Sequence, residues 1–369
     1  LIVVSVAATA TLGAVAIGGV PLLAGLGGAA ILALGVLPGG SRRYLLRRLG
    51  RVLVSMLAAM AIVWLLIFNF PDSPSIRFSD DQSIAGPIRP GMGLGDDPRP
   101  TGLVAAMEAY GSWLGDLLVG DLGGVTSYSE SVGEGVARTI PLSMQLLLYS
   151  QLIAILVAVP GALIGALYRG RSSDIAARAV GLMGLSTPVY VIGPILVFLF
   201  AVGEFGVFGV DVGLRILPSG RYVPIGSGLG DHLESMALPS LTLGLSTAAV
   251  YLVLLRSELI QQLMLDHVEL ARSKGIAPGR IVRHHALRPA APTVVAAIAA
   301  QSGLIIGNLI IIERIFLLPG FGDYVIVAVI RRDLPAVAGA VFVAAAVLAV
   351  VNLVADALLL AIDPRIDGA

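Results

Sequence analysis

Six stretches of this chain are long, apolar and almost free of charge: Val52–Phe70, Ile140–Leu167, Ala179–Val202, Leu238–Leu255, Ala290–Ile312 and Leu334–Ile362, the last interrupted only by Asp356. A hydrocarbon layer about 30 Å thick is crossed by about 20 residues at helical rise, so each run can span a bilayer as one helix. Inside lipid no water meets the backbone, and a helix satisfies its N–H and C=O groups within a single segment. The runs therefore predict an all-α, polytopic integral membrane protein. Composition agrees: of 369 residues, 13% are charged, 57% are hydrophobic and 45 are glycine, which excludes an ordinary soluble domain and a disordered chain. The absence of cysteine excludes a disulfide scaffold. With 24 basic residues balanced by 24 acidic ones, no general attraction to nucleic acid is expected.

The placement of charge gives the orientation, because basic residues in short loops stay on the inner side. Arg42, Arg43, Arg47, Arg48 and Arg51 precede the first run. Arg169, Arg171 and Arg178, against Asp174, lie between the second and third, and Arg272, Lys274, Arg280, Arg283 and Arg288 between the fourth and fifth. All three clusters fall on one side, expected to be cytoplasmic. Residues 71–138 carry ten acids and four arginines and belong outside. Arg314, Arg331 and Arg332 oppose the rule in late loops, which influence orientation least.

Leu1–Leu37 is free of charge and split by Gly18, Gly19 and Pro21, with room for one further span or two short ones. It lacks the basic flank of a secretory signal. The expected organisation is an extra hydrophobic segment over 1–40, a basic segment with the first core span over 41–70, an extracytoplasmic loop region over 71–138, and a core over 139–365 containing an inner loop at 261–289. Within the outer region, Leu103–Leu122 has near-helical apolar spacing, and its Tyr110 and Trp113 suit a membrane interface. Gly203–Ser235, with Pro218, Pro224 and many glycines, suits a short hairpin outside.

The inner loop is the most informative segment. Asp266 is placed to cap a helix start, with Glu269 three residues on reaching back to it. Gly275 suits a left-handed helix terminator, and Pro278 the first turn of a second helix ending at Pro289. Val268, Ala271 and Arg272 share one face, where the small Ala271 would let a partner surface approach closely. A helix of two turns spans about 12 Å and cannot cross the membrane. By spacing alone, it serves equally as a docking knob or as a plain connector.

Glu269-Leu270-Ala271, followed by Gly275, resembles the Glu-Ala-Ala, three residues, Gly signature of permease subunits of ATP-binding-cassette importers. Asp266-His267-Val268, Ala271-Arg272-Ser273-Lys274-Gly275 and His285-Ala286-Leu287-Arg288 resemble its peptide and nickel branch, on the first of two permease subunits. Also similar are Tyr44–Leu49, Gly120–Gly123, Leu185–Pro188, Leu238–Leu243, Glu313–Gly322 and Asp363-Pro364-Arg365, in order along the chain. Leu270 departs from the signature's middle alanine, and 1–40 has no counterpart. The resemblance implies six core helices of the type I importer permease fold plus one or two N-terminal helices. It implies a coupling helix in which Asp266, Glu269, Leu270, Ala271, Arg272, Lys274 and Gly275 dock to an ATPase. It further implies a peptide importer in the inner or plasma membrane of a prokaryote, with a second similar permease, two ATPase subunits or domains and an extracytoplasmic binding protein as partners. The chain itself would be no enzyme. ATP and Mg would sit on the partner ATPases, and no cofactor on this chain.

Other chemistry is weakly represented. Lys274 is followed by Gly275 and Ile276, so the one lysine belongs to no phosphate-binding P-loop. The histidines are His232, His267, His284 and His285, and adjacent His284 and His285 point to different sides of a helix, so no metal site is expected. No serine lies in a Gly-x-Ser-x-Gly elbow. Glu258, Glu313 and Asp356 fall near run ends, which disfavours the alternative of a proton-coupled secondary transporter. Uncharged polar residues at depth, Ser186, Thr187, Gln301, Ser302 and Asn308, are candidates to line a pathway, and interhelical hydrogen bonds are their competing use. Gly184, Pro188 and Gly193 would permit a kink in the third run.

Overall fold

The computed structural model describes residues 50–51, 53–62, 64–65, 103–123, 130–202, 206–207, 210–211, 216–331 and 333–362. The expectations for 1–40, for Arg42–Arg48 and the loop from 66 to 102, and for Asp363-Pro364-Arg365 lie outside these residues. In chain order the helices are α1 (Leu53–Ile62), α2 (Leu103–Leu118), α3 (Val132–Leu167), α4 (Ser172–Ser186), α5 (Val189–Val197), α6 (Leu229–Leu263), α7 (Asp266–Ser273), α8 (Pro278–Ile281), α9 (Arg288–Ile315), α10 (Phe321–Ile330) and α11 (Leu334–Ile362). A two-residue ladder, Gly206–Val207 against Val210–Asp211, is the expected hairpin. Among the described residues four helices are long and apolar enough to cross a membrane, five if the bent pair α4–α5 counts as one. The protein is an all-α polytopic membrane protein.

The chain divides into two compact units. The first comprises residues 1–141 and 323–353. Its described core is aromatic: Trp113 lies between Trp64 at 6.2 Å, Tyr110 at 6.3 Å and Phe342 at 5.8 Å. Trp113 is therefore buried, contrary to its expected interfacial place, and its indole N–H donates to the Leu122 carbonyl at 3.4 Å. The Tyr110 hydroxyl donates to the Leu57 carbonyl at 2.8 Å. A capping box opens α3, eight residues ahead of the apolar run: the Ser131 N–H donates to Glu134 at 2.8 Å and the Glu134 N–H to Ser131 Oγ at 3.2 Å.

The second unit, residues 142–322 with 354–369, is built around α6. Association of helices in lipid rests on close packing rather than on a hydrophobic drive, so small residues mark the contacts. A Cβ at Gly161 on α3 would lie 2.8 Å from Leu252, one at Gly181 on α4 2.8 Å from Val253, and one at Gly184 2.5 Å from the Ala249 Cβ. On α6 itself, Gly244 abuts Ile153 and the Ser150 carbonyl of α3. The third apolar run is broken at its centre. Thr187 is extended (φ −97°, ψ 118°) ahead of Pro188, as residues before proline prefer, and α4 and α5 meet at 107°.

Polar groups in this unit are enclosed by specific partners. Glu313 is fully buried and accepts from Ser143 Oγ, which in turn accepts the Phe321 N–H at 2.8 Å. Gly320 and Gly322 in the following turn face the same carboxylate, where a Cβ would collide with it. His232, also buried, meets the Val223 carbonyl at 2.7 Å through Nδ1 and the Tyr149 hydroxyl at 3.2 Å through Nε2, pinning the loop ahead of α6.

Gly184→Ala is expected to lower the detergent melting temperature, at a cost of about 2 kcal/mol from overpacking, whereas Gly230→Ala, with open space around it, leaves the temperature unchanged or raised. Equal stability of the two variants would contradict the α4–α6 contact.

Candidate functional site

The α7 projection follows directly from the end of α6. Met264 closes α6, and Leu265 turns extended (φ −76°, ψ 146°), its carbonyl taking the Val268 N–H at 2.9 Å. Leu265, not Asp266, is the N-cap, and no side chain caps this end. Asp266 is already helical, so its carboxylate cannot fold back over the first turn. It and Glu269 instead place negative charge at the positive end of the helix dipole. The C-terminus is as expected: Gly275 has φ +73°, its N–H donates to the Arg272 carbonyl at 2.9 Å, and the Ile276 N–H donates to the Ala271 carbonyl at 3.2 Å. These two bonds form a Schellman motif.

α7 stands on its own small core. Val268 is 0% exposed and Ala271 5%, both packed with Ile281 and with Leu263 and Ile276. The small side chain of Ala271 thus serves close packing inside this chain rather than approach by a partner. The outward surface holds Asp266, His267, Glu269, Leu270, Arg272, Lys274 and Gly275, with Leu270 55% exposed between the charges. The departure from the signature at position 270 lies on the exposed surface.

Pro278 begins α8 as expected, but the helix does not end at Pro289. It widens to a π turn over Val282–Leu287 and runs on to Ile315. The widening comes directly ahead of Pro289, where a regular α-helix would set the proline ring against the carbonyl four residues back. Ala286 in the π turn packs with Ala162, Ala166, Leu255, Leu259 and Ala290, joining α3, α6 and α9, and Leu263 of α6 touches both this cluster and that of α7. The His267 ring lies 6.0 Å from that of His285, joining α7 to the π turn. Among the described residues no group of three potential metal ligands comes together.

The pathway candidates are not gathered into one polar wall. Ser186 is exposed, and half-buried Thr187 donates to the Met183 carbonyl at 2.7 Å, both at the α4–α5 break. Gln301 and Asn308 are half-buried on α9. Ser302 is fully buried, donating to the Ile298 carbonyl at 2.7 Å and accepting from Gln151 Nε2 at 3.4 Å, while the Tyr251 hydroxyl donates to Gln151 Oε1 at 2.8 Å. Ser302 therefore belongs to a triad that binds α3, α6 and α9 together.

Sequence reasoning missed a polar clamp between the α3–α4 turn and α6. Asp174, only 2% exposed, accepts from Arg256 Nε at 2.8 Å and from the Gly170 N–H at 2.9 Å. Its signal was present: one acid among Arg169, Arg171 and Arg178, and an arginine just past the apolar run on α6.

Comparison with known proteins places these features in context. Residues 152–368 match the family model described as "Binding-protein-dependent transport system inner membrane component". The chain is 31% identical to the di/tripeptide transport system permease protein DppB of Pseudomonas aeruginosa over 338 residues, covering 88% of this chain and 98% of the relative. A Brucella ovis protein with a provisional peptide permease name is also 31% identical over 332 residues, with the same coverage. A Sinorhizobium fredii protein provisionally named a peptide ABC transporter permease is 28% identical over 331 residues, again covering 88% and 98%.

Gly275→Val is expected to disrupt the end of α7 by forcing a β-branched residue to φ +73°, a cost of about 1–2 kcal/mol, whereas Gly275→Asn, tolerant of that region, keeps it. Since nothing lies within 4 Å of a Cβ there, the difference reports backbone conformation alone, read as protease sensitivity at the loop. Equal cleavage of the two variants would contradict the left-handed terminator.

Proposed function

Since this chain belongs to the binding-protein-dependent transport system inner membrane component family, we propose that it is one permease subunit of an ATP-driven importer of peptides. In this reading it forms half of the transmembrane pathway together with a second, similar permease. An extracytoplasmic binding protein delivers cargo, and two cytoplasmic ATPase subunits or domains supply the energy. The peptide cargo rests on the names of the relatives, including the di/tripeptide permease protein of Pseudomonas aeruginosa.

The observation that carries the reading is the exposed surface of α7. A free helix of eight residues is far below the length at which helices persist alone in water, so its order must come from elsewhere. Val268 and Ala271 hold it from within, and the Schellman turn stops it. What remains outward is Leu270 together with the exposed charges Asp266, Glu269, Arg272 and Lys274, an apolar side chain on a charged surface. Such a surface fits insertion into a groove on an ATPase surface, with the charges setting register and the apolar side chain supplying affinity. A stiff lever of this kind transmits the closing of an ATPase pair as displacement of α6.

Leu270→Asp places a charge where the groove would desolvate it and is expected to weaken ATPase association about tenfold or more, with the chain still folded in the membrane. Co-purification in mild detergent, with ATP-dependent uptake into proteoliposomes, measures this. Undiminished ATPase binding by the variant, or uptake by this chain alone driven by a proton gradient, would overturn the proposal.

A further inference from the structure

We propose that Asp174 and Arg256 are positioning residues for coupling: they fasten the α3–α4 turn to the last third of α6, which leads into α7, so that a displacement of α7 reaches the broken helix α4–α5 directly. This inference rests on the reading of α7 as the ATPase-docking element.

The clamp is a closed arrangement. Gly170, at φ +78°, turns the chain back after α3 and points its N–H at Asp174 Oδ2, at 2.9 Å. The other carboxylate oxygen takes the Arg256 fork, Nε at 2.8 Å and Nη2 at 2.5 Å. Arg178, one turn along α4, stays at 3.7 Å and is largely exposed, so it contributes little. Arg256 itself is 16% exposed and runs between helices: a Cβ at Gly165 on α3 would lie 3.1 Å from both its Cδ and the Ala177 Cβ of α4. A second contact reaches the same region, Arg169 Nη1 to Met264 Sδ at 3.2 Å, and Met264 is the residue that ends α6, two before α7 begins. The α3–α4 turn is thereby tied at two points, Arg256 and Met264, to the last third of α6, which leads into α7.

The rest of α4 prolongs the attachment. Gly181 and Gly184 lie against Val253 and Ala249, so α4 follows α6 as one packed body from the clamp to the residues just before Thr187. Beyond Thr187 the helix direction changes by 107°. A movement entering at α7 therefore arrives at the α4–α5 break with its lever intact, and the break absorbs it. A buried ion pair is suited to this task because both fork nitrogens meet one carboxylate oxygen while a backbone N–H holds the other, which fixes orientation as well as distance, and its net contribution to stability is small.

The chain contains no cysteine, so a single reporter can be introduced. In the assembled complex with its ATPase, Thr187→Cys is labelled with a maleimide in nucleotide-free and ATP-trapped states. In the otherwise unmutated chain the labelling rate is expected to differ at least about fivefold between the states. Adding Asp174→Asn is expected to abolish that difference while ATP hydrolysis by the complex continues. Arg256→Lys keeps the charge but not the fork, and is expected to reduce the difference; it also serves if Asp174→Asn fails to assemble. Arg178→Gln should leave the difference intact. Persistence of the full nucleotide response in the Asp174 and Arg256 variants overturns this proposal and leaves the docking reading standing. Failure of the unmutated chain to bind an ATPase overturns the docking reading itself.

Discussion

Helices in lipid gain little by hiding apolar surface from one another, so this fold depends on how closely its backbones can approach. α6 gathers several such approaches. Gly161, Gly181, Gly184 and Gly244 each occupy a position where an added Cβ would lie under 3 Å from a neighbouring side chain. These contacts bring α3 and α4 against one 35-residue helix about 50 Å long, whose last turn leads into α7. The site is positioned by packing that begins far from it.

Polar groups within the second unit are organised by the same closeness. Gly320 and Gly322 leave room for the Glu313 carboxylate, with Ser143 as its donor. Gln151 joins Tyr251 to Ser302, and His232 meets the Tyr149 hydroxyl. Each group is engaged across elements distant in sequence, which fits interhelical fastening better than a proton relay, in which carboxylates would succeed one another along a path.

What the sequence disclosed, and what it hid, follows from the range of the interactions. Apolar run length is local, and it located α3, α6, α9 and α11, although their ends lay further out wherever polar residues continued the helix, as at Ser131 and Glu134. Gly275 was legible because a left-handed terminator needs little beyond its own φ, and the break at Thr187–Pro188 was legible because proline constrains its predecessor. The facing of α7 was not legible. One helix face carries Val268, Ala271 and Arg272, and only the fold decides that Ile281 and Leu263 cover its apolar part. Asp266 satisfied the composition of a cap but stands one residue too late, because Leu265 already supplies the first accepting carbonyl. Trp113 suited an interface by its chemistry, yet Trp64 and Phe342, contributed by distant segments, enclose it. The Asp174–Arg256 pair spans 82 residues and could be read only as two charges in suggestive places.

The most direct measurement is site-specific photo-crosslinking in intact membranes, with a photoreactive side chain at position 270 and, for comparison, at position 268. Position 270 faces outward and position 268 is enclosed by its own chain. Capture of a nucleotide-binding chain from position 270 but not from 268 is the expected result. Capture of lipid alone from position 270, with no nucleotide-binding chain, would contradict the assignment of α7 as the docking element.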